Sequence, residues 1–231
     1  MNKLPAQKVT GLIDGLAVLQ ELAMAGEAVS GKAVAEKLNL NPVRVNRLLK
    51  TLDYLGLAHR SNSRHYSIGP AMHVLAAQSM VASGLLTRAL PELQRLSKYN
   101  HVVALGVLWK DQVCYLYHNN TPDDISAGLN RIRLFPALES SIGVALLAEL
   151  DEAHLKQSLG AKYTPEVKKM LAKVSQTGFA AVKHPDHVSL ATTIGKPAYA
   201  ALAISGIENP EDQKKFEVLL KEAVSKINNP L

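Results

Sequence analysis

A chain of 231 residues, 47% of them hydrophobic, is long enough for one large domain or two ordinary ones with proper apolar cores. It holds no run of about 18 apolar residues of the kind a membrane span needs, its opening "MNKLPAQKVTG" lacks the apolar stretch of a secretory signal, and its single cysteine, Cys114, excludes an internal disulfide framework and a cysteine-rich zinc site. These features set the expectation of a cytoplasmic protein without membrane partners. The net charge is +6, and residues 1–70 carry +4 of it, with nine Lys or Arg against five acids, which points to polyanions.

Along the chain, Leu12, Leu16, Leu19 and Leu22 recur at three- and four-residue intervals, the stripe of an amphipathic first helix that stops near Gly26. Ser30 suits the N-cap of "GKAVAEKL", a short second helix with Val34 and Leu38 on one face. Asn41 followed by Pro42 starts a third helix that runs to about Leu55 and is ended by Gly56. Between helices two and three, Ala35 is the small residue a close helix contact requires, and Asn39 tolerates the positive φ of a tight turn.

With Val45, Leu48, Leu49 and Leu52 turned inward, Val43, Arg44, Asn46, Arg47 and Lys50 are left on the other faces of helix three. Arg and Lys reach guanine edges or phosphates and Asn can read adenine, so this set fits a recognition helix, against the plainer alternative of a solvated bundle face. Next, "LAHR" and "HYSI" form short strands joined by "SNS", a hairpin with Arg60 and Arg64 beside its turn, placed as the wing of a winged helix. Ser30, Asn41, Val43, Arg44, Asn46, Arg47, Lys50, Arg60 and Arg64 are the expected contacts to double-stranded DNA. The segment "PAMHVLAAQSMVAS" is apolar on more than one face and suits a linker helix packed against a second copy of the chain.

From about residue 85 the texture changes to mixed strands and helices. "HVVALGVLW" and "QVCYLYHN" read as strands joined across Lys110 and Asp111, and "VSLATTI" and "AYAALAIS" as two more joined across Gly195 and Lys196, giving an antiparallel sheet. Helices are expected over "LLTRALPELQRLSKY", "SSIGVALLAEL", "TPEVKKMLAKVSQT" and "NPEDQKKFEVLLKEAVSKI". Ser140 and Ser141 open one of them, where they serve either as simple N-caps or as part of an anion site. Catalytic constellations are not visible: there is no "GxSxG" elbow and no "GxxxxGK" loop, and His184, Asp186 and His187 in one proline-containing loop do not fix a metal geometry. No cofactor is expected, and Cys114 reads as a packed or surface thiol rather than a nucleophile.

The run "GLIDGLAVLQELAMAGEAVSGKAVAEKLNLNPVRVNRLLKTLDYLGLAHRSNSRHYSIGPAMHVLA" resembles the DNA-binding half of the IclR family of bacterial transcriptional regulators. The remainder, through "PELQRLSKYN", "VVALGVLWKDQVCYLYHN", "LFPALESSIGVALLAEL", "YTPEV" and "AYAALAISG", resembles that family's effector-binding domain, so the likeness spans essentially the whole chain. It implies an α+β protein with an N-terminal winged helix-turn-helix (1–70), a linker helix (71–84) and a GAF-like effector-binding and oligomerisation domain with a central antiparallel sheet (85–231). It further implies a homodimer or homotetramer on palindromic operators, repressing or activating, its affinity set by a small organic acid. The family's ligand contacts, carried over, fall on Ser141, Ile142, Ser189 and Ser205, beside Ser140. Three departures stand out: Asp14 occupies a position where the family usually has arginine, Val43 and Arg44 stand where it usually has small hydroxyl residues, and "HPDHVSLATTIGKPAYAALAISG" is shorter than its counterpart and lacks the cysteine and arginine often found there. Other classes remain open: a second domain that only oligomerises, or a hydrolase or metal enzyme fused to a winged helix.

Overall fold

The computed structural model describes residues 7–61, 64–119 and 134–228, and the chain divides between Ser83 and Gly84 into two compact units. In the first, α1 (Thr10–Ala25) ends at Gly26 in the left-handed conformation. A two-residue strand β1 (Val29–Ser30) leads into α2 (Gly31–Leu38), whose N-cap Ser30 accepts a hydrogen bond from the Ala33 amide. The turn to α3 (Pro42–Tyr54) pivots on Asn39 at φ 51°, and the Asn41 side chain accepts from the amides of Val43 and Arg44. Both turn residues thus act through backbone geometry, the first by tolerating the left-handed region and the second by satisfying orphan N–H groups.

Strands β2 (Ala58–Arg60) and β3 (His65–Ile68) pair antiparallel, and β1 adds to the free side of β3, so the expected hairpin is part of a three-stranded sheet. Of the "SNS" turn, Asn62 and Ser63 lie outside the described residues. The core of this unit is Val18, Leu22, Val34, Ala35, Val45, Leu49, Leu52, Ala58 and Tyr66. One expectation needs correction here. Leu12 and Leu16 are not core residues, being 62% and 48% exposed; the buried face of α1 is instead Asp14, Val18, Leu19 and Leu22. A carboxylate enters that face because a basic partner meets it, as described below. Helix α4 (Ala71–Ser83) has no buried residue.

The second unit centres on a six-stranded antiparallel sheet of order β6-β5-β4-β9-β8-β7, built from β4 (Val102–Trp109), β5 (Gln112–Asn119), β6 (Leu134–Pro136), β7 (Ala180–Lys183), β8 (Val188–Ile194) and β9 (Ala200–Ile207). Alternation along the strands divides the apolar side chains between two cores. Val103, Leu105, Leu190, Leu202 and Ile204 face α5 (Leu85–Ser97) and the terminal α9 (Pro210–Asn228). Ala104, Val113, Ala191, Ala201 and Ala203 face α6 (Ser141–Leu147), α7 (Glu152–Leu159) and α8 (Pro165–Thr177). The small alanines of that second face let α6 approach the sheet closely. Helix α7 and the edge strands β6 and β7 escape sequence periodicity, since α7 buries only Leu155 and Leu159 and the edge strands have three and four residues. Among the described residues no helix is long and apolar enough to cross a membrane.

Two bulges break the alternation beside the cavity described below. Opposite Leu105 and Gly106, strand β5 carries an extra residue, because their partners are Tyr117 and Tyr115. Opposite Val188 and Ser189, β9 carries Gly206, at φ 92°, between their partners Ile207 and Ser205. An extra residue in one strand of a pair resets which face its side chains take.

Candidate DNA-binding surface and ligand cavity

On the first unit, Val43, Arg44, Asn46, Arg47 and Lys50 are all exposed on α3, with Val45, Leu49 and Leu52 buried beneath them. Amphipathic spacing produces this division: the apolar positions i, i+4 and i+7 face the core, and the intervening ones face out. The exposed set is not uniform. The Arg44 guanidinium is ion-paired through Nε to Asp14 Oδ2 of α1 at 2.6 Å, whereas no ion pair among the described residues involves Arg47, Lys50, Arg60 or Arg64. Asn46 turns toward the start of α2, where a Cβ on Gly31 would meet its Oδ1 at 2.9 Å, so Ser30, Gly31 and Asn46 come together. A concavity of about 660 Å³ separates the start of α1 at Gly11 from the Val43, Arg44 and Arg47 side of α3.

The wing is anchored to α3 by its backbone: the Arg60 amide donates to Asp53 Oδ1 at 3.0 Å, and the Arg60 side chain lies 6.0 Å from the centre of the Tyr66 ring. Arg64 stands at φ 62° and its amide donates to the Ser61 carbonyl, closing the hairpin turn. Both arginines are exposed.

On the second unit a cavity of about 220 Å³ opens on the α6 face of the sheet. Ser140, Ser141, Ser189 and Ser205 line it. Ile142 does not. It is fully buried in the core, near enough to Gly106 that a Cβ there would meet it at 3.2 Å, because one residue further along the first turn of α6 rotates the side chain from the cavity onto the sheet. Ser140 is already committed as the N-cap of α6, accepting from the Gly143 amide at 3.3 Å and bonded to the Tyr115 hydroxyl at 2.8 Å. Burial pushes the Tyr115 hydroxyl above its ordinary range while the Ser140 bond pulls it back, so it remains a neutral donor or acceptor. The Ser189 and Ser205 hydroxyls bond to each other.

Sequence reasoning missed the aromatic and imidazole part of the lining: Tyr115, His118, Phe135, His184 and His187, with Glu139. Tyr115 and His118, three residues apart, would face opposite ways on a regular strand; the β5 bulge brings both to the cavity side, with ring centres 5.2 Å apart. The rings of His184 and His187 stack at 4.5 Å, and His187 Nδ1 contacts Asp186 Oδ1 at 2.7 Å. Among the described residues no group of three or more His, Cys, Asp or Glu is placed to hold a metal ion.

No family model matches the chain. It is 30% identical over 154 residues to the Pca regulon regulatory protein of Pseudomonas putida, an alignment covering 66% of this chain and 53% of that one. The chain spans about half the length of the curated relatives it matches. Among solved structures, an IclR family transcriptional regulator from Brucella abortus aligns at TM-score 0.76 and 22% identity over 100% of this chain and 95% of its own. An IclR homolog from Microbacterium hydrocarbonoxydans, complexed with 4-hydroxybenzoate, aligns at TM-score 0.64 and 20% identity over 94% of this chain and 97% of its own. From the winged helix to the six-stranded sheet, the chain has the fold of the IclR-family transcriptional regulators.

Proposed function

We propose that the chain is a sequence-specific DNA-binding transcriptional regulator, not an enzyme, whose operator affinity is set by a small organic acid bound in the second unit. The observation that carries the DNA reading is the exposed set Val43, Arg44, Asn46, Arg47 and Lys50 on a capped helix that follows a helix-turn. In the major groove, Arg47 and Lys50 supply guanine or phosphate contacts, Val43 can meet a thymine methyl, and Asn46 an adenine edge. Arg60 and Arg64 on the wing serve the adjacent backbone or minor groove. Ser30 and Asn41 are spent on their helix caps, so their part in binding is to place backbone amides rather than to read bases.

The effector reading rests on the cavity, which combines apolar Val102, Ala104, Phe135 and Ala203 with hydroxyls and imidazoles. At about 220 Å³ it is smaller than drug-sized sites, which begin near about 300 Å³, and suits a small acid. The 4-hydroxybenzoate held by one structural neighbour is of that size and chemistry. A built cavity favours a sensing unit over one that only oligomerises. The regulator is a homodimer or homotetramer in this reading, because one winged helix covers too little duplex for tight operator binding.

Selection of genomic fragments bound by the full chain, followed by gel shifts, tests the reading. Arg47→Ala should weaken the selected operator by about 1–3 kcal/mol if the residue reads a base, with relaxed preference at one position. A phosphate contact would instead lower affinity evenly across sequences and flatten the salt dependence. Unchanged binding by both Arg47→Ala and Lys50→Ala would remove α3 from the interface.

A further inference from the structure

We propose that Asp14 is a specificity-determining positioning residue of the DNA-binding surface, holding Arg44 through Nε so that its guanidinium is a fixed fork for one base edge and not a mobile cation for phosphates. The inference rests on the reading of α3 as the recognition helix. Asp14 sits on the core face of α1, one and two helical turns before Val18 and Leu22, and its side chain is only 13% exposed. A carboxylate in such a place is costly unless paired, and a pair whose other member, Arg44, is 43% exposed to solvent contributes little net stability. Its stability value therefore does not explain it; its partner's position does.

Arg44 is three residues beyond the N-cap of α3, at the leading end of the helix, where recognition helices meet base edges. A carboxylate on Nε occupies one of the five guanidinium donors and fixes the plane that carries the other four. One turn along, Arg47 has no ion pair among the described residues and shares with Arg44 the concavity against Gly11. Two arginines on one face are thereby set apart: one buttressed from the adjacent helix, the other with no ion pair among the described residues. A negative charge beneath a surface that meets phosphates also weakens non-specific attraction, which raises discrimination from the other side.

The test uses the full chain with its selected operator, single-base variants of that operator and a random duplex, comparing wild type, Asp14→Asn, Arg44→Ala, Arg44→Lys and the Asp14→Asn/Arg44→Ala double variant. A wild type that prefers no sequence would overturn the DNA reading and this inference with it. With a specific wild type, Asp14→Asn should lose about 5- to 150-fold discrimination at the same base pair that Arg44→Ala relaxes. Random-duplex affinity should stay level or rise, the double variant should be no worse than Arg44→Ala, and Arg44→Lys, with the charge but not the fork, should not restore the preference. Full retention of base preference by Asp14→Asn, effects of the two substitutions at different base pairs, or an even loss across all sequences that follows a lowered melting temperature would each overturn the proposal.

Discussion

At Gly206 a single residue sets which side chain of β9 lines the cavity of the second unit. Regular alternation along β9 would put Ser205 and Ile207 on the same face, yet Ser205 lines the cavity while Ile207 belongs to the opposite core, and the positive φ of Gly206 makes the exchange. A Cβ there would be strained by the backbone and would meet His101 Nδ1 at 3.3 Å. Gly206→Ala should cost about 1–2 kcal/mol, lowering the melting point of a unit of this size by roughly 2–8 °C. Wild-type stability in that variant, read by thermal denaturation, would show that the strand does not need the bulge. The same feature marks what could be read in advance. Ser140 and Ser141 were legible at the start of an apolar helix, whereas Ser189 and Ser205 entered through the family resemblance, no local pattern in their strands marking them. Tyr115 and His118 were not legible, since the β5 bulge depends on cross-strand register, which no single strand's sequence records.

Among the elements, the helix-turn-helix was legible almost residue by residue, because Ser30, Asn39, Asn41 and Pro42 act through local backbone chemistry. The first helix was legible as a helix ending at Gly26, with Leu19 and Leu22 buried, but the rest of its buried face was not. Its stripe is real, but Val9, Leu12, Ile13 and Leu16, at i, i+3, i+4 and i+7, face away from the chain's own core. Helix α4 likewise exposes Val74, Leu75 and Val81, the last at 82%. Amphipathicity shows that a face needs cover, not what covers it. In the proposed homo-oligomer the cover is a second copy, and sedimentation at micromolar concentration should give a dimer or larger. Leu75→Glu with Val81→Glu should shift it to monomer while leaving the first unit's unfolding free energy within about 0.5 kcal/mol of wild type, since both side chains are already exposed in the single chain. A wild-type monomer, with and without operator, would refute the assembly.

For the molecule as a whole, the separation of cores has a thermodynamic consequence. The first unit's core draws on Val18 to Tyr66, and both cores of the second unit draw on residues from Leu85 onward. Two units with self-contained cores predict two unfolding transitions by calorimetry, each answering to its own ligand. Operator duplex at about 100 times its Kd stabilises the state that binds it by about 2.7 kcal/mol, so the transition of a unit of some 80 residues should rise by roughly 10–20 °C. A small organic acid that occupies the cavity at the same excess should raise the larger unit's transition by about 5–11 °C, as expected for a domain of its size. Regulation requires more than independence. If the acid alters operator affinity by some factor, linkage demands that operator alter the acid's affinity by that same factor. With both ligands present, the two shifts should then differ from those seen singly, by about 1–3 kcal/mol of coupling in total. Strictly additive shifts would mean a cavity that binds without signalling, and a single transition that moves as one with either ligand would mean that the two units unfold together.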